Sequence, residues 1–200
     1  ESWPNMAPFP LGIMALAGAG GGATFELLES VTLSSPAGSV TFSGLDSYSD
    51  YKSLQIRMVT RLDTSGFATQ YMNFNADEAA NYTTHFVSGS SSSSTPSANT
   101  YLNEDYIRVS NTDRLTQSIA DSFAPAVVDI YDFASTNKTT TVRVHEGRVG
   151  GDPTQSTNNA AIRSGLWNST AAVTSISLNL PVAAYCNYVA GSRFSLIGVK

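Results

Sequence analysis

Two histidines, one cysteine and sixteen carboxylates are the groups best able to carry acid–base, nucleophilic or metal chemistry in this 200-residue chain. A hydrolytic triad needs a nucleophile, a base and an acid that orients the base. His85 falls between Thr84 and Phe86, and His145 between Val144 and Glu146, each inside a strand-like pattern. No Gly-X-Ser-X-Gly elbow occurs. Cys186 sits in AAYCNYV, an apolar setting that raises a thiol pKa and keeps it inert. Asn73, Asn75 and Asp77, followed by Glu78, alternate like the start of a calcium loop. The glycine and the distal glutamate of such a loop are missing, so a polar hairpin turn is the better reading. No His or Cys pair has zinc spacing. Asp129 with Asp132, or Glu104 with Asp105, could form a carboxylate pair for glycoside hydrolysis. Asp129 and Asp132 lie three apart in a strand pattern and so point to opposite faces. The chain is therefore expected to be no enzyme, with no catalytic residue, no metal ligand and no cofactor.

Aromatic side chains are the better lead. Tyr48 and Tyr51 lie in a Ser/Asp-rich stretch, Tyr101 and Tyr106 follow a serine run, and Trp167 precedes Asn168-Ser169-Thr170. Aromatic faces stack on sugar rings and anchor interfaces, so these five are the candidate ligand-facing residues. The competing reading makes most of them core residues at strand ends.

The elements that must position these residues are strands. Charged residues make up only 14% of the chain, and its polarity comes from 28 Ser and 20 Thr. Hydroxyl side chains face water on a sheet without charge repulsion, and Thr favours the pleated backbone. A hydrophobic content of 42% is enough for a core. The net charge of −5, with eight Arg and three Lys scattered along the chain, argues against a nucleic-acid partner. A single cysteine rules out an internal disulfide. Leu11 to Ala19 is apolar but too short to span a membrane, and no basic segment precedes it, so neither membrane insertion nor a signal peptide is expected.

From Phe25 onward the pattern has period two: Leu54/Ile56/Met58, Met72/Phe74, Val142/Val144 and Ile176/Leu178/Leu180 each alternate with other side chains, mostly polar ones. Strands are expected near 25–33, 39–43, 52–62, 70–75, 82–87, 105–109, 123–133, 139–146, 162–167, 173–180 and 192–199. Val127 to Phe133 is apolar on both faces, as in a central strand. Ser88 to Asn99 reads as a mobile low-complexity loop, Glu146 to Ala161 as a long polar loop, and 112–120 could hold one helical turn. The spacing fits an all-β, antiparallel β-sandwich or jelly roll over residues 24–200.

Residues 1–23 differ. Three prolines and five glycines oppose helix and central strand, while Trp3, Met6, Phe9, Leu11, Ile13, Met14 and Leu16 oppose a solvated tail. Two readings satisfy both: an extended arm that buries these partner-anchoring side chains against something else, or a strap over the chain's own core. Gly18 to Gly22 reads as a hinge.

From about Phe25 to Val199 the chain resembles a family of tailed-bacteriophage virion structural proteins. The resemblance rests on FELLESVTLSSPAGSVTFSGLDSYSDYKSLQIRMVTR, MNFNADEAANYTTHFV, VDIYDFASTNKTTTVRV, LWNSTAAVTSISL and the ending AGSRFSLIGV. That ending is similar to an SRFSLYG-type closing strand, with Ile197 where the family usually has Tyr. The family's usual Asn-Gly-Asp turn is Asn75-Ala76-Asp77 here, which weakens the expectation of a tight turn or metal role there. The resemblance implies a jelly-roll virion component: a capsid decoration, fibre or tail-associated part, oligomeric and most simply a homotrimer, in contact with other virion proteins. A carbohydrate-binding or host-adhesion module, with a host-surface glycan as partner, is the alternative.

Overall fold

The computed structural model describes residues 24–63, 68–90, 93–112, 122–148, 159–180 and 186–200. The arm at 1–23, with Trp3, Met6, Phe9, Leu11, Ile13, Met14 and Leu16, lies outside the described residues, as do 113–120 and 149–158. Twelve strands form among the described residues: β1 (Phe25–Thr32), β2 (Ser39–Ser43), β3 (Ser53–Thr60), β4 (Ala68–Phe74), β5 (Tyr82–Ser90), β6 (Ser93–Glu104), β7 (Ile107–Thr112), β8 (Ala124–Tyr131), β9 (Thr140–Arg148), β10 (Asn159–Trp167), β11 (Ser175–Asn179) and β12 (Arg193–Val199). The described helix is one 3-10 turn, Leu45–Tyr48.

The strands make an eight-stranded sheet, β1-β12-β3-β8-β9-β10-β5-β6, and a four-stranded sheet, β2-β11-β4-β7. The pairing is nested: β1 with β12, β2 with β11, β3 with β8 and β4 with β7, all antiparallel. A chain doubled back on itself and wrapped so that successive pairs fall in alternate sheets is a jelly roll. Two further hairpins, β5/β6 and β9/β10, join the large sheet beyond β8.

Period-two alternation turns one face of each strand inward. Leu54, Ile56 and Met58 of β3, Val128 and Ile130 of β8, and Phe194 and Leu196 of β12 meet Phe42, Met72, Phe74, Ile176 and Leu178 from the small sheet, all buried. Each fully buried side chain of this size contributes about 1.5–3 kcal/mol. Around β10 the filling changes. Among the described residues Arg163 is the largest fully buried side chain, and it forms an ion pair with Glu146, whose carboxylate also accepts a hydrogen bond from Ser110.

The closing strand lies between β1 and β3. Its Gly198 is needed because the Tyr51 ring rests on it: a Cβ there would meet Tyr51 Cδ1 at 2.5 Å. Ile197 lies on the outward phase beside Leu27 and Gln55, yet its side chain is buried at 8% exposure.

Two expectations need correction. Ser88 to Asn99 is not a loop throughout, since β5 runs to Ser90 and β6 starts at Ser93, with Val87 opposite Ala98 and Ser88 opposite Ser97. Small hydroxyl residues have no hydrophobic alternation to announce a strand, yet an edge strand exposed to water does not require one. The Asn75-Ala76 turn is tight despite lacking glycine. Both residues adopt left-handed φ, 53° and 54°, and Asp77 N donates to Phe74 O at 2.8 Å.

Candidate functional site

The outward face of the small sheet builds a cleft of about 800 Å³. On β4, Gln70, Met72 and Phe74 point inward, which leaves Tyr71 and Asn73 on the opposite side. Asn179 of β11 stands across from Tyr71, and its Nδ2 donates to Asn73 Oδ1 at 3.0 Å. Ser39 at the start of β2 forms one rim. Where the chain crosses from β6 in the large sheet to β7 in the small one, Asp105 and Tyr106 form another. Glu78, Cys186 and Asn187 complete the described lining.

The aromatic wall is held from behind. Tyr71 and Tyr106 stack with centroids 3.7 Å apart and planes at 22°. A bulge at Gln70/Tyr71 puts Arg108 of β7 opposite Tyr71. The Arg108 guanidinium lies 3.9 Å above the Tyr101 ring and 5.3 Å from that of Tyr106. It donates to Glu104 Oε2 at 2.8 Å and to the Tyr106 hydroxyl at 3.2 Å. A delocalised cation between aromatic faces is stabilised by their quadrupoles, and a carboxylate at its edge fixes its rotation. Burial, reinforced by the Tyr71 hydroxyl, pushes the Tyr106 phenol well above its ordinary pKa, so it stays a neutral donor. Behind Tyr101, Phe86 stacks at 6.1 Å, and Arg163 lies 5.0 Å over Phe86. A ladder of rings and guanidinium groups thus runs from the buried Glu146–Arg163 pair to the cleft.

The expected aromatics divide. Tyr106 lines the cleft, and half-buried Tyr101 supports it through Arg108. Tyr48 and Tyr51 lie elsewhere, half-buried against the core and 6.4 Å apart, edge to face. The Tyr51 hydroxyl donates to Glu26 at 2.6 Å, and that bond pushes its pKa up to about 12. Trp167 is a correction. It is 2% exposed, packed against Phe74 and Tyr82, with its indole N–H donating to Asp77 Oδ2 at 2.8 Å. Its place before a polar tripeptide made it look exposed, but it ends β10 on the inward phase of Ala161, Arg163 and Gly165.

The chemistry-bearing residues are otherwise engaged. Asn73 donates to Asp77 O and Asp105 O, and Asn75 bridges to Ala172, Thr174 and Ser175. Asp77 accepts from Asn81, Trp167 and Ala79, and the Asn81 bond leads in holding its carboxyl below the usual range. Asp129 accepts from Gln55, whereas Asp132 sits in a left-handed turn beside Lys138, so the two do not form a pair. Glu104 is committed to Arg108. His85 and His145 both lie exposed on the large sheet's outer face. Burial raises the Cys186 thiol. Among the described residues no three His, Cys, Asp or Glu side chains cluster as metal ligands, and no helix is long and apolar enough to cross a membrane.

Tyr71, Arg108 and Asn179 were not singled out from sequence, and Glu78 was named only as the residue after a calcium-loop-like run. The usable signal was Tyr71, an aromatic on the polar phase of a strand whose other phase is Met72 and Phe74. Compared with known families, curated proteins and solved structures, the chain has no match.

Proposed function

We propose that the chain is a structural component of a bacteriophage virion, a head-decoration, fibre or tail-associated part that works as an oligomer. The observation that supports it best is the outer face of the eight-stranded sheet. One cross-strand row reads Ala98, Val87, Ile162, His145, Val127, Arg57, Ser195. Within it Val87 and Ile162 are adjacent and 47% and 57% exposed. Toward the other edge Phe25 and Leu27 are 51% and 63% exposed, next to Val199 and Ile197. Apolar groups gathered on a broad face mark an interface, and covering them contributes about 25 cal/mol per Å². Fold alone names no activity. The nested pairing and the closing strand are, however, the architecture that the resemblance to virion proteins implies.

Mass spectrometry of purified particles should find the chain among their proteins, and light scattering of the isolated protein should find a trimer. Ile162→Glu should dissociate that trimer without unfolding it. Deleting residues 1–23 should leave a folded sandwich that no longer enters particles. A monomer at high micromolar concentration, together with normal incorporation of the truncated chain, would count against this reading.

One observation favours a second reading, adhesion to a host-surface glycan: the aromatic and amide-lined cleft on the small sheet, opposite the proposed assembly face. The two readings are compatible in a fibre or decoration whose small sheet points outward.

A further inference from the structure

We infer that the Tyr71/Tyr106 cleft binds a neutral oligosaccharide and discriminates against anionic glycans. The inference rests on the adhesion reading and adds the site and the ligand class. Its first basis is the donor–acceptor balance of the lining. Among the described residues the carboxylates of Glu78 and Asp105 have no hydrogen-bond or ion-pair partner, and the Asn179 amide, which gives one N–H to Asn73, keeps its oxygen as a further acceptor. Unpartnered acceptors call for a ligand rich in O–H donors. Among the described residues no Lys or Arg lines the cleft, and the Arg108 guanidinium behind its aromatic wall is paired with Glu104. A phosphate, sulfate or sugar carboxylate would therefore meet two carboxylates and no free cation. A polyol meets groups that accept its hydroxyl protons.

The second basis is shape and stiffness. A cleft of about 800 Å³ lies within the range of small-ligand sites. The paired Tyr71 and Tyr106 rings supply the flat apolar surface on which the C–H face of a pyranose stacks. Arg108 and Tyr101 lock those rings from behind, so little side-chain freedom remains to be lost on binding. The floor is ordered as well, since Asn179 bonds Asn73, which in turn donates to Asp77 O and Asp105 O.

The test is calorimetric titration of the full chain with maltohexaose, cellohexaose and mannohexaose, and in parallel with hexagalacturonate and oligosialic acid. Binding of at least one neutral hexamer at millimolar affinity or tighter is expected, with any anionic hexamer at least tenfold weaker. Ser39→Trp places a bulky ring on the exposed rim of the cleft and should weaken the neutral hexamer at least tenfold. Thr141→Trp puts the same ring on the outer face of the opposite sheet and should leave affinity unchanged. Circular dichroism melts of both variants establish that they fold. A neutral hexamer that binds equally to the wild type and to Ser39→Trp overturns the assignment of the site but leaves adhesion standing. Preferred binding of an anionic hexamer overturns the ligand class. No binding to any of the five overturns both the inference and the adhesion reading.

Discussion

The nested strands and the inserted hairpins line the sandwich interior with different materials. On β3, β8 and β12 the inward positions are hydrocarbon apart from Thr60, which accepts from Gln70: Leu54, Ile56, Met58, Val128, Ile130, Phe194 and Leu196. On β5, β6, β9 and β10 the inward face starts out similarly, with Tyr82, Trp167, Val142 and Val144. It then passes into Thr84, Phe86, Tyr101, Glu146 and Arg163, and Glu146 is met from the small sheet by Ser110 of β7. Hydrocarbon packing is non-directional, so any side chain of suitable volume contributes. A layer of charges, rings and hydroxyls is directional, and each group is stable only while its partner is in place. The jelly-roll half should therefore degrade gradually under substitution, whereas the inserted half should fail by whole networks. The cleft wall belongs to that second kind.

The largest expected effect tests this contrast directly. Arg163→Met removes the guanidinium from a pair whose members are 2% and 7% exposed. Breaking a buried pair at one end costs about 3–5 kcal/mol, whereas replacing both ends with apolar side chains is often neutral. The urea midpoint should fall steeply for Arg163→Met and recover in Arg163→Met with Glu146→Leu. Ile56→Val in the hydrocarbon half should cost only about 0.5–1.5 kcal/mol. A single Arg163 variant no worse than Ile56→Val would erase the distinction.

Next come two glycines, one in each half, whose hydrogen atoms face a neighbour. A Cβ on Gly165 of β10 would meet Ile107 Cγ2 at 2.8 Å, and one on Gly198 of β12 would meet the Tyr51 ring at 2.5 Å. Ile107 is fully buried and has nowhere to retreat, so Gly165→Ala should reach the upper part of the roughly 1–3 kcal/mol cost of overpacking. Tyr51 is half-exposed and can swing out, so Gly198→Ala should lie in the lower part. Swinging out breaks the bond to Glu26, which leads in raising the Tyr51 pKa to about 12. Ultraviolet titration of Gly198→Ala should then show one tyrosine ionising nearer its ordinary pKa of about 10.

Much of the nested half was legible because its physics is the physics of alternation. Leu54/Ile56/Met58 and Ile176/Leu178 announce both a strand and its buried face. In the inserted half the strands near 82–87, 139–146 and 162–167 were legible, but an alternating apolar face announced itself only at Val142 and Val144. β6 carries no apolar period, and Arg163 reads as a solvated residue until Glu146 is seen beside it. The cleft was less visible still. Tyr106 was reachable as an aromatic near a polar segment, but Tyr71, Asn179 and Arg108 come together only through the β4–β11 and β4–β7 registers. Trp167 misled because the polar residues after it belong to a turn, whereas its own phase belongs to β10.

A smaller effect is expected at Asp77, which couples the turn after β4 to Trp167 of the inserted half. Its folded-state carboxyl lies below the usual range, first because of Asn81 and then because of Trp167 and Ala79. A lowered folded pKa means stability that is present above the unfolded value, near pH 4, and lost as pH falls through the folded value. Melting temperature should therefore drop on acidification below about pH 4. Asp77→Asn should be less stable at pH 7 and should flatten that acid limb. An unchanged acid limb in Asp77→Asn would sever the link between the turn and Trp167.

The smallest effect should be a gain, at Ala76. Both central residues of its turn have left-handed φ, and the chain tolerates this at Asn75, whose side chain bonds the backbone of Ala172, Thr174 and Ser175. Ala76 has no such compensation. Its Cβ carries the steric penalty of the left-handed region, about 1–2 kcal/mol. Replacing it with glycine removes that penalty but adds freedom to the unfolded chain, which returns part of the gain. Ala76→Gly should thus stabilise by about 0.5–1 kcal/mol, read as a higher urea midpoint at unchanged slope. The turn joins β4, which carries Tyr71 and Asn73, to β5, which carries Phe86, so it ties the nested half to the inserted one. If Ala76→Gly instead destabilises, the turn must gain something from the alanine methyl that outweighs backbone strain, and the halves are joined there by packing.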